Sequence, residues 1–367
     1  MHEEGKFGVQ EAVWLCVCAI TAKLFFTSPA VIAAILGPSG WFMPLLSGLI
    51  ALACFALIVV LLRRFPGRGL TEIYEVVFGQ ILGSVVSALL GAYLIYLLFQ
   101  NISEFQEVLH LYVLRNSPDW FIISAFVISM VIISFFGLEG LVRTAKIFSF
   151  FIVAGFLTLL FLASGDYNTS NIFPILGFGI QKTLVYAVLR SSTYGEVIIL
   201  TVFAGSLQGT DYVKKAGLTA LIISGAISTL SFLAYVLSFP FYIGQEVVSP
   251  MYELSQMIDR GRFLQRIEPI FLFLWVITTL ISCTAIFYTS VSIYCRIFRI
   301  RDRRPIIVGW GIITLFACLI ESNISGSVYM GIQTIRQVGS IPFFAVPIFT
   351  LVISLLRKKR DGAHEKK

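Results

Sequence analysis

The chain has 367 residues, 57% of them hydrophobic and only 13% charged, with 33 Phe and a mean hydropathy of +0.90. A soluble domain carries about 25% charged residues, so this composition excludes an ordinary water-soluble globule, a disordered chain and a disulfide scaffold, and indicates a polytopic helical membrane protein. The formal charge of +7 is expected to report topology rather than nucleic-acid binding, because the basic residues are scattered over short loops between apolar stretches.

A hydrocarbon core about 30 Å thick takes roughly 20 apolar residues per helix, and backbone inside it must satisfy its own hydrogen bonds. Ten stretches meet that requirement, near residues 9–36, 41–62, 81–103, 120–138, 147–164, 183–206, 216–239, 269–295, 306–320 and 338–356. The sequence therefore predicts an all-α integral membrane protein of ten transmembrane helices. Residues 1–8 form a cytoplasmic tail, 9–356 a single transmembrane domain and 357–367 a basic cytoplasmic tail. The first apolar stretch follows Glu3 and Glu4, is too long for a signal peptide and lacks a cleavage site, so it is expected to remain as the first span. With the N-terminus inside, 19 of the 27 Lys and Arg fall on the cytoplasmic side and six outside, while Lys23 and Arg190 lie within spans. That asymmetry predicts both termini inside and an even number of spans.

In chain order, the first unusual feature is in span one, where Thr21, Ala22 and Lys23 sit near the middle, followed by Thr27, Ser28 and Pro29. Pro29 removes a backbone donor and disfavours helix at Ser28. Span three ends in a polar stretch from Gln100 to Glu104, of which Gln100 and Asn101 supply polar walls on the outer side. Span six carries Arg190, Ser191, Ser192, Thr193, Tyr194, Gly195 and Glu196 in its central part, and Gly195 lets the chain leave helix at little cost. No other span places a formal charge at its centre. Within the loop 240–268, Met251, Leu254 and Ile258 recur at helical spacing, which predicts a short amphipathic helix over the outer mouth, acting as a lid or as a plain connector. Span eight contributes Thr278, Thr279, Ser282, Thr284, Tyr288, Thr289 and Ser290; Thr278 and Ser282, four apart, share one face.

Spans one and six occupy matching positions if ten helices are two sets of five, about 9–164 and 183–356. Many secondary transporters are built from such inverted repeats, with the first helix of each repeat interrupted at mid-membrane. An interrupted helix exposes N–H groups on one half and carbonyls on the other, a carboxylate site beside a cation site, which matches a zwitterionic amino acid. The competing reading is a proline kink and a Ser/Thr-lined packing seam. An unpaired charge at mid-membrane costs several kcal/mol, so Lys23 and Glu196 are expected to face one another or share a polar cavity. Lys23 then replaces a coupling cation, or Glu196 relays a proton or receives a substrate ammonium; a structural ion pair is the alternative. Arg190 lies eight residues from Lys182, roughly 12 Å by helical rise, and is expected to snorkel outward as readily as to serve a site.

Six cysteines, Cys16, Cys18, Cys54, Cys283, Cys295 and Cys318, lie in apolar stretches as packing residues, and His2, His110 and His364 sit in the tails or near a loop. No metal or cofactor is expected. Nor does a clustered acid, base or nucleophile suggest an enzyme.

Several short motifs, in order, carry a resemblance. Arg64-Phe65-Pro66-Gly67 with Leu70-Thr71-Glu72, then Pro174-Ile175-Leu176-Gly177 ahead of span six, Gly195-Glu196 inside it, and Arg266-Ile267-Glu268 opening span eight resemble the spore germination permease family. These are the GerAB-type B subunits of germinant receptors, within the amino acid/polyamine/organocation superfamily. The resemblance extends from about Lys6 to Lys359. It implies a LeuT-like fold with broken helices 1 and 6, in the inner membrane of a dormant spore. It further implies an amino acid or similar nutrient bound between those helices, and A and C subunits as partners. On that basis the candidate ligand-binding residues are Thr21, Ala22, Lys23, Leu24, Phe25, Ser191, Ser192, Thr193, Tyr194, Gly195, Glu196, Thr278 and Ser282. The expected function is nutrient sensing, with a proton-coupled amino-acid permease as the alternative. The family commonly has a Gly-Thr pair in helix one where, aligned on Pro29, this chain has Ala22-Lys23.

Overall fold

The computed structural model describes residues 7–25, 28–205, 207, 209–258, 268–321 and 327–359, and among them regular structure is helical throughout. In chain order, α1 (Val9–Thr21) passes through a 3-10 turn (Ala22–Phe25) before α2 (Ser28–Leu36), and a second 3-10 stretch (Gly37–Phe42) leads into α3 (Met43–Arg64). Then come α4 (Leu70–Phe78), α5 (Gln80–Tyr112), α6 (Asp119–Phe135) and α7 (Gly137–Ala163). After two short 3-10 turns, α8 (Ile180–Leu189) runs into a 3-10 stretch (Arg190–Val197) and α9 (Ile198–Val202). The remainder is α10 (Thr210–Ser238), α11 (Phe241–Gly244), α12 (Pro250–Met257), α13 (Glu268–Ile297), α14 (Arg304–Glu321), α15 (Ser327–Val338), a π-helical turn (Ile341–Ala345) and α16 (Val346–Leu356).

Among the described residues, six helical runs are long and apolar enough to cross a membrane: 29–64, 80–112, 137–166, 210–238, 268–297 and 333–356. Asp119–Phe135 and Arg304–Ile320 are shorter apolar helices. Helix covers the core of every apolar stretch expected from the sequence, with three differences. The polar stretch Gln100–Glu104 lies inside α5, which runs on to Tyr112 because its polar side chains are buried against other helices. The segment 70–78, between the expected second and third spans, is helical: the Glu72 carboxylate accepts from the Gly69 N–H at 3.1 Å and closes its first turn. Residues 327–338, nearly all between the expected ninth and tenth spans, form α15, on which Arg336 is buried.

The centre of the molecule is α1 together with the second half of α13. Ala12, Cys16 and Ala19 on α1 and Cys283, Ile286 and Val291 on α13 are all buried, because α1 packs against α7, α10 and α13 at once. Around them, Leu89 on α5, Ile128 on α6 and Phe150 and Phe161 on α7 are largely exposed, as side chains facing hydrocarbon are. Ion pairs on one face tie helix ends together: Arg63–Asp211 at 2.6 Å, Lys146–Glu11 at 2.6 Å and Arg296–Glu72 at 2.6 Å. The Phe7 carbonyl accepts from Tyr212, and Arg64 donates to the Ser354 and Lys359 carbonyls, so the starts of α1 and α10 and the ends of α3 and α16 share this basic face. On the opposite face α12 is held by a Tyr112–Glu253 hydrogen bond, with Met251 and Leu254 buried beneath it. The amphipathic segment expected at 251–258 is thus helical over Pro250–Met257.

Candidate functional site

Helix α1 closes normally: Thr21 Oγ1 donates to the Val17 carbonyl at 2.7 Å and the Ala22 N–H bonds Cys18. The next four residues wind more tightly, with i to i+3 bonds, which swings successive side chains to new directions. Lys23, on that turn, is 4% exposed. Its ammonium donates to both Glu196 oxygens, at 2.6 and 2.5 Å, and to the Thr193 carbonyl at 2.6 Å. Glu196 is fully buried. The two mid-span charges read from the sequence therefore meet.

The facing segment, Arg190–Val197, is a 3-10 stretch held on several sides. Tyr194 OH donates to the Pro44 carbonyl at 2.8 Å, Ser191 Oγ to Val188 at 2.8 Å and Ser192 Oγ to the Arg336 carbonyl. Gly195 is dictated by packing: a Cβ there would lie 1.7 Å from the Phe343 ring. The π-helical turn presents that ring, which also stands edge-on to Tyr93 with centroids 5.0 Å apart.

The remaining candidates divide. Ser282 Oγ donates to the Ala19 carbonyl at 3.0 Å and so ties α13 to the last turn of α1, whereas Thr278 Oγ1 bonds Leu274 in its own helix at 2.7 Å. Thr278 is therefore a satisfied packing hydroxyl on the same buried face. Leu24 is buried in an apolar cluster with Ile32, Leu36, Met43, Ala187 and Phe232. Phe25 ends the 3-10 turn; its side chain, like Thr27, Arg266 and Ile267, lies outside the described residues.

Two expectations need correction. Arg190 does not snorkel outward: it is 1% exposed and donates to Gln333 Oε1, because α15 covers it with polar groups. Nor are Lys23, Arg190 and Glu196 alone inside. Glu104 on α5, fully buried, pairs at 2.7 Å with Arg336 on α15, itself 3% exposed. Lying between the expected ninth and tenth spans, Arg336 is one of the six basic residues counted as outside. The signal that marks it is Gln333, Arg336 and Gln337, a polar stripe at i, i+3 and i+4.

The Lys23–Glu196 pair is itself buried and bridges the two 3-10 segments, Lys23 donating to Glu196 and to the Thr193 carbonyl. A cleft of about 330 Å³ lies on the basic face, and a nearly filled apolar recess is lined by Ala33, Gly37, Tyr235 and Phe239. Among the described residues no group of three His, Cys, Asp or Glu side chains is placed to hold a metal ion.

Residues 9–326 match the spore permease family, described as "Spore germination protein". This chain belongs to that family. It is 22% identical to spore germination protein KB of Bacillus subtilis (strain 168) over 88% of each chain. With spore germination protein YndE of the same organism it shares 23% identity, over 88% of this chain and 89% of the relative. Among solved structures it is similar to MhsT in complex with L-phenylalanine, with a TM-score of 0.62 and 12% identity over 95% of this chain and 89% of the other. It is also similar to MHP1, a nucleobase-cation-symport-1 family transporter, in a closed conformation with bromovinylhydantoin bound, with a TM-score of 0.61 and 13% identity over 97% and 80%. At these identities the likeness is one of fold, that of LeuT-type transporters. The spore permease motifs have structural work in this chain. Arg64 caps the end of α16, and Glu72 both caps α4 and pairs with Arg296 at the end of α13. A Cβ on Gly177 would lie 2.2 Å from the Leu36 carbonyl.

Proposed function

We propose that this chain is the nutrient-sensing membrane subunit of a spore germinant receptor. In this reading ten helices cross the spore inner membrane as a 5+5 inverted repeat with both termini cytoplasmic. The runs α1–α2 and α8–α9 are its broken first helices, and an amino acid binds between them. The observation that carries the proposal is the buried Lys23–Glu196 pair, joining the 3-10 segments Ala22–Phe25 and Arg190–Val197.

A zwitterion can exchange with that pair without changing the number of buried charges. Its carboxylate takes the Lys23 ammonium and the N–H groups of 22–25, its ammonium takes Glu196 and the Thr193 carbonyl, and residues 191–195 surround its side chain. A ligand with one charge leaves a protein charge buried and unpaired, which costs about 3–5 kcal/mol. Lys23 stands as a tethered cation, so binding is expected to need no sodium. Because Lys23 and Glu196 are buried and bonded to one another, the ligand must favour a second arrangement of the bundle to act; the A and C subunits read that shift. Thermal stabilisation of purified protein by the twenty amino acids tests the reading. A rise in melting temperature for at least one, absent for its decarboxylated and deaminated analogues, supports it, and no rise for any amino acid overturns it. The alternative, a proton-coupled permease working through Glu196, draws on the transporter fold; labelled amino-acid counterflow by this subunit alone in proteoliposomes is its signature.

A further inference from the structure

The cleft on the basic face shares no lining residue with the Lys23–Glu196 pair and has a chemistry of its own. Arg68, Glu72, Glu75, Gln80, Arg296 and Arg299 line it, bringing together α4, the start of α5 and the end of α13. Arg296 and Glu72 hold the fold: they pair at 2.6 Å, and the second Glu72 oxygen accepts from the Gly69 N–H. Glu75 and Arg299 have no ion pair or side-chain hydrogen bond among the described residues.

Arg299 carries a second signal. The chain leaves α13 with its N–H bonding the Arg296 carbonyl at 3.0 Å and the Ile300 N–H bonding Cys295 at 2.7 Å. That is a Schellman ending whose left-handed residue is usually glycine. Here it is arginine, at φ 55°. A long side chain kept in a disfavoured backbone conformation, at the rim of a cleft, points to a role for that side chain. The flanks say where the cleft opens. Ile81 is 80% exposed, and Leu82 on α5 and Phe298 beside Arg299 are each 62% exposed, an exposed apolar flank that adjoins the lining residues Gln80 and Arg299 in sequence.

Guanidinium forks match phosphate oxygens, and a free carboxylate among them matches an ammonium. We propose that this cleft binds the headgroup of an aminophospholipid, its phosphate against Arg299 and Arg68 and its primary ammonium on Glu75, with the acyl chains along Ile81, Leu82 and Phe298. A purely anionic headgroup has no group for Glu75, and a choline headgroup has no N–H to donate to it. The bound lipid bridges α4 and α13.

Native mass spectrometry of the full chain, released from nanodiscs of equimolar phosphatidylethanolamine, phosphatidylglycerol and phosphatidylcholine, reads the lipid retained. Phosphatidylethanolamine should be retained about tenfold over phosphatidylcholine, the worth of one charge-assisted hydrogen bond. Arg299→Gly places glycine where the backbone favours it, so its melting temperature should hold or rise while lipid retention falls by a similar factor. Glu75→Gln should abolish the preference for phosphatidylethanolamine. Equal retention of the three lipids by the wild-type chain, or unchanged selectivity in both variants, overturns the proposal. So does full displacement of the lipid by inorganic phosphate or soluble phosphoethanolamine at millimolar concentration, which would make the occupant a soluble phosphate compound.

Discussion

Removing one partner of the Lys23–Glu196 pair is the sharpest perturbation the structure offers. In Glu196→Gln, an ammonium that is 4% exposed and donates to three oxygens loses the carboxylate it pairs with. It retains the Thr193 carbonyl and an amide oxygen. Breaking a buried pair in this way costs about 3–5 kcal/mol, and at about 2 °C per kcal/mol for a chain of this size the melting temperature should fall by roughly 6–10 °C. Lys23→Met should cost a comparable amount, since it strands the fully buried Glu196. The double variant has no charge left to desolvate, and replacing a buried pair by neutral groups of similar volume is often neutral. Its stability should therefore return most of the way to the wild-type value, a coupling of about 3 kcal/mol, while every ligand response is lost. Scanning fluorimetry of the four proteins in one detergent, with and without amino acids, measures both quantities. Additive losses in the double variant would show that the two side chains do not support one another, and the reasoning about the site would fail with them.

Lys23→Ala should abolish or alter the ligand-induced thermal shift more than Arg190→Ala does, because only Lys23 bridges the two 3-10 segments; equal and negligible effects from both would remove Lys23 from the site. Gly195→Ala puts a methyl group 1.7 Å from the Phe343 ring and should cost about 1–3 kcal/mol by overpacking, with recovery in the Phe343→Leu background; a Gly195→Ala protein as stable as wild type would refute that packing. Arg336→Gln should lower the melting temperature, since it removes the 2.7 Å ion pair to the fully buried Glu104; an unchanged melting temperature would refute a stabilising role for that pair. Replacing Met251 to Ile258 by a Gly/Ser linker removes the buried Met251 and Leu254 and should speed ligand association measured by stopped-flow; an unchanged rate would reduce α12 to a connector.

What the sequence revealed and what it hid follow from one asymmetry. Charges at the centre of apolar runs are conspicuous, because hydrocarbon makes them expensive, and so Lys23 and Glu196 were legible as partners although 173 positions apart. The polar run between Arg190 and Glu196 marked the 3-10 stretch at 190–197, whereas Pro29, expected to disfavour helix at Ser28, sits in the first turn of α2. Arg336 was not legible. It precedes the last apolar run by two residues, where a charge is ordinarily a solvated flank, and only the packing of α15 against α5 turns it inward. Glu72 and α4 were hidden similarly: a nine-residue helix between two spans is too short for its period to stand out from a polar loop. The short motif Leu70-Thr71-Glu72 marked the place through resemblance, but its work of capping α4 and holding α13 is visible only in three dimensions.

The two buried ion pairs are not independent features of the bundle. Residues 190–197 touch both: the Thr193 carbonyl accepts from Lys23, while Ser192 donates to the carbonyl of Arg336 and Arg190 to Gln333. Gly339, just beyond α15, sits so close that an added Cβ would lie 2.9 Å from Ser192 and 2.2 Å from the Tyr93 hydroxyl. Any solute that separates Lys23 from Glu196 needs room between segments now in contact, and that room can come only by displacing 190–197 relative to its neighbours. Close-packed interiors resist continuous deformation and switch between discrete arrangements, so a shift of that segment should carry α15 with it or break its bonds to Gln333 and Arg336. Ligand binding and the exposure of α15 are therefore expected to change together. Hydrogen exchange of residues 333–338 with and without amino acid measures that link: protection that responds to ligand in the wild-type chain and stays constant in Lys23→Met supports it, whereas identical protection in all four samples would confine the ligand's effect to its own site.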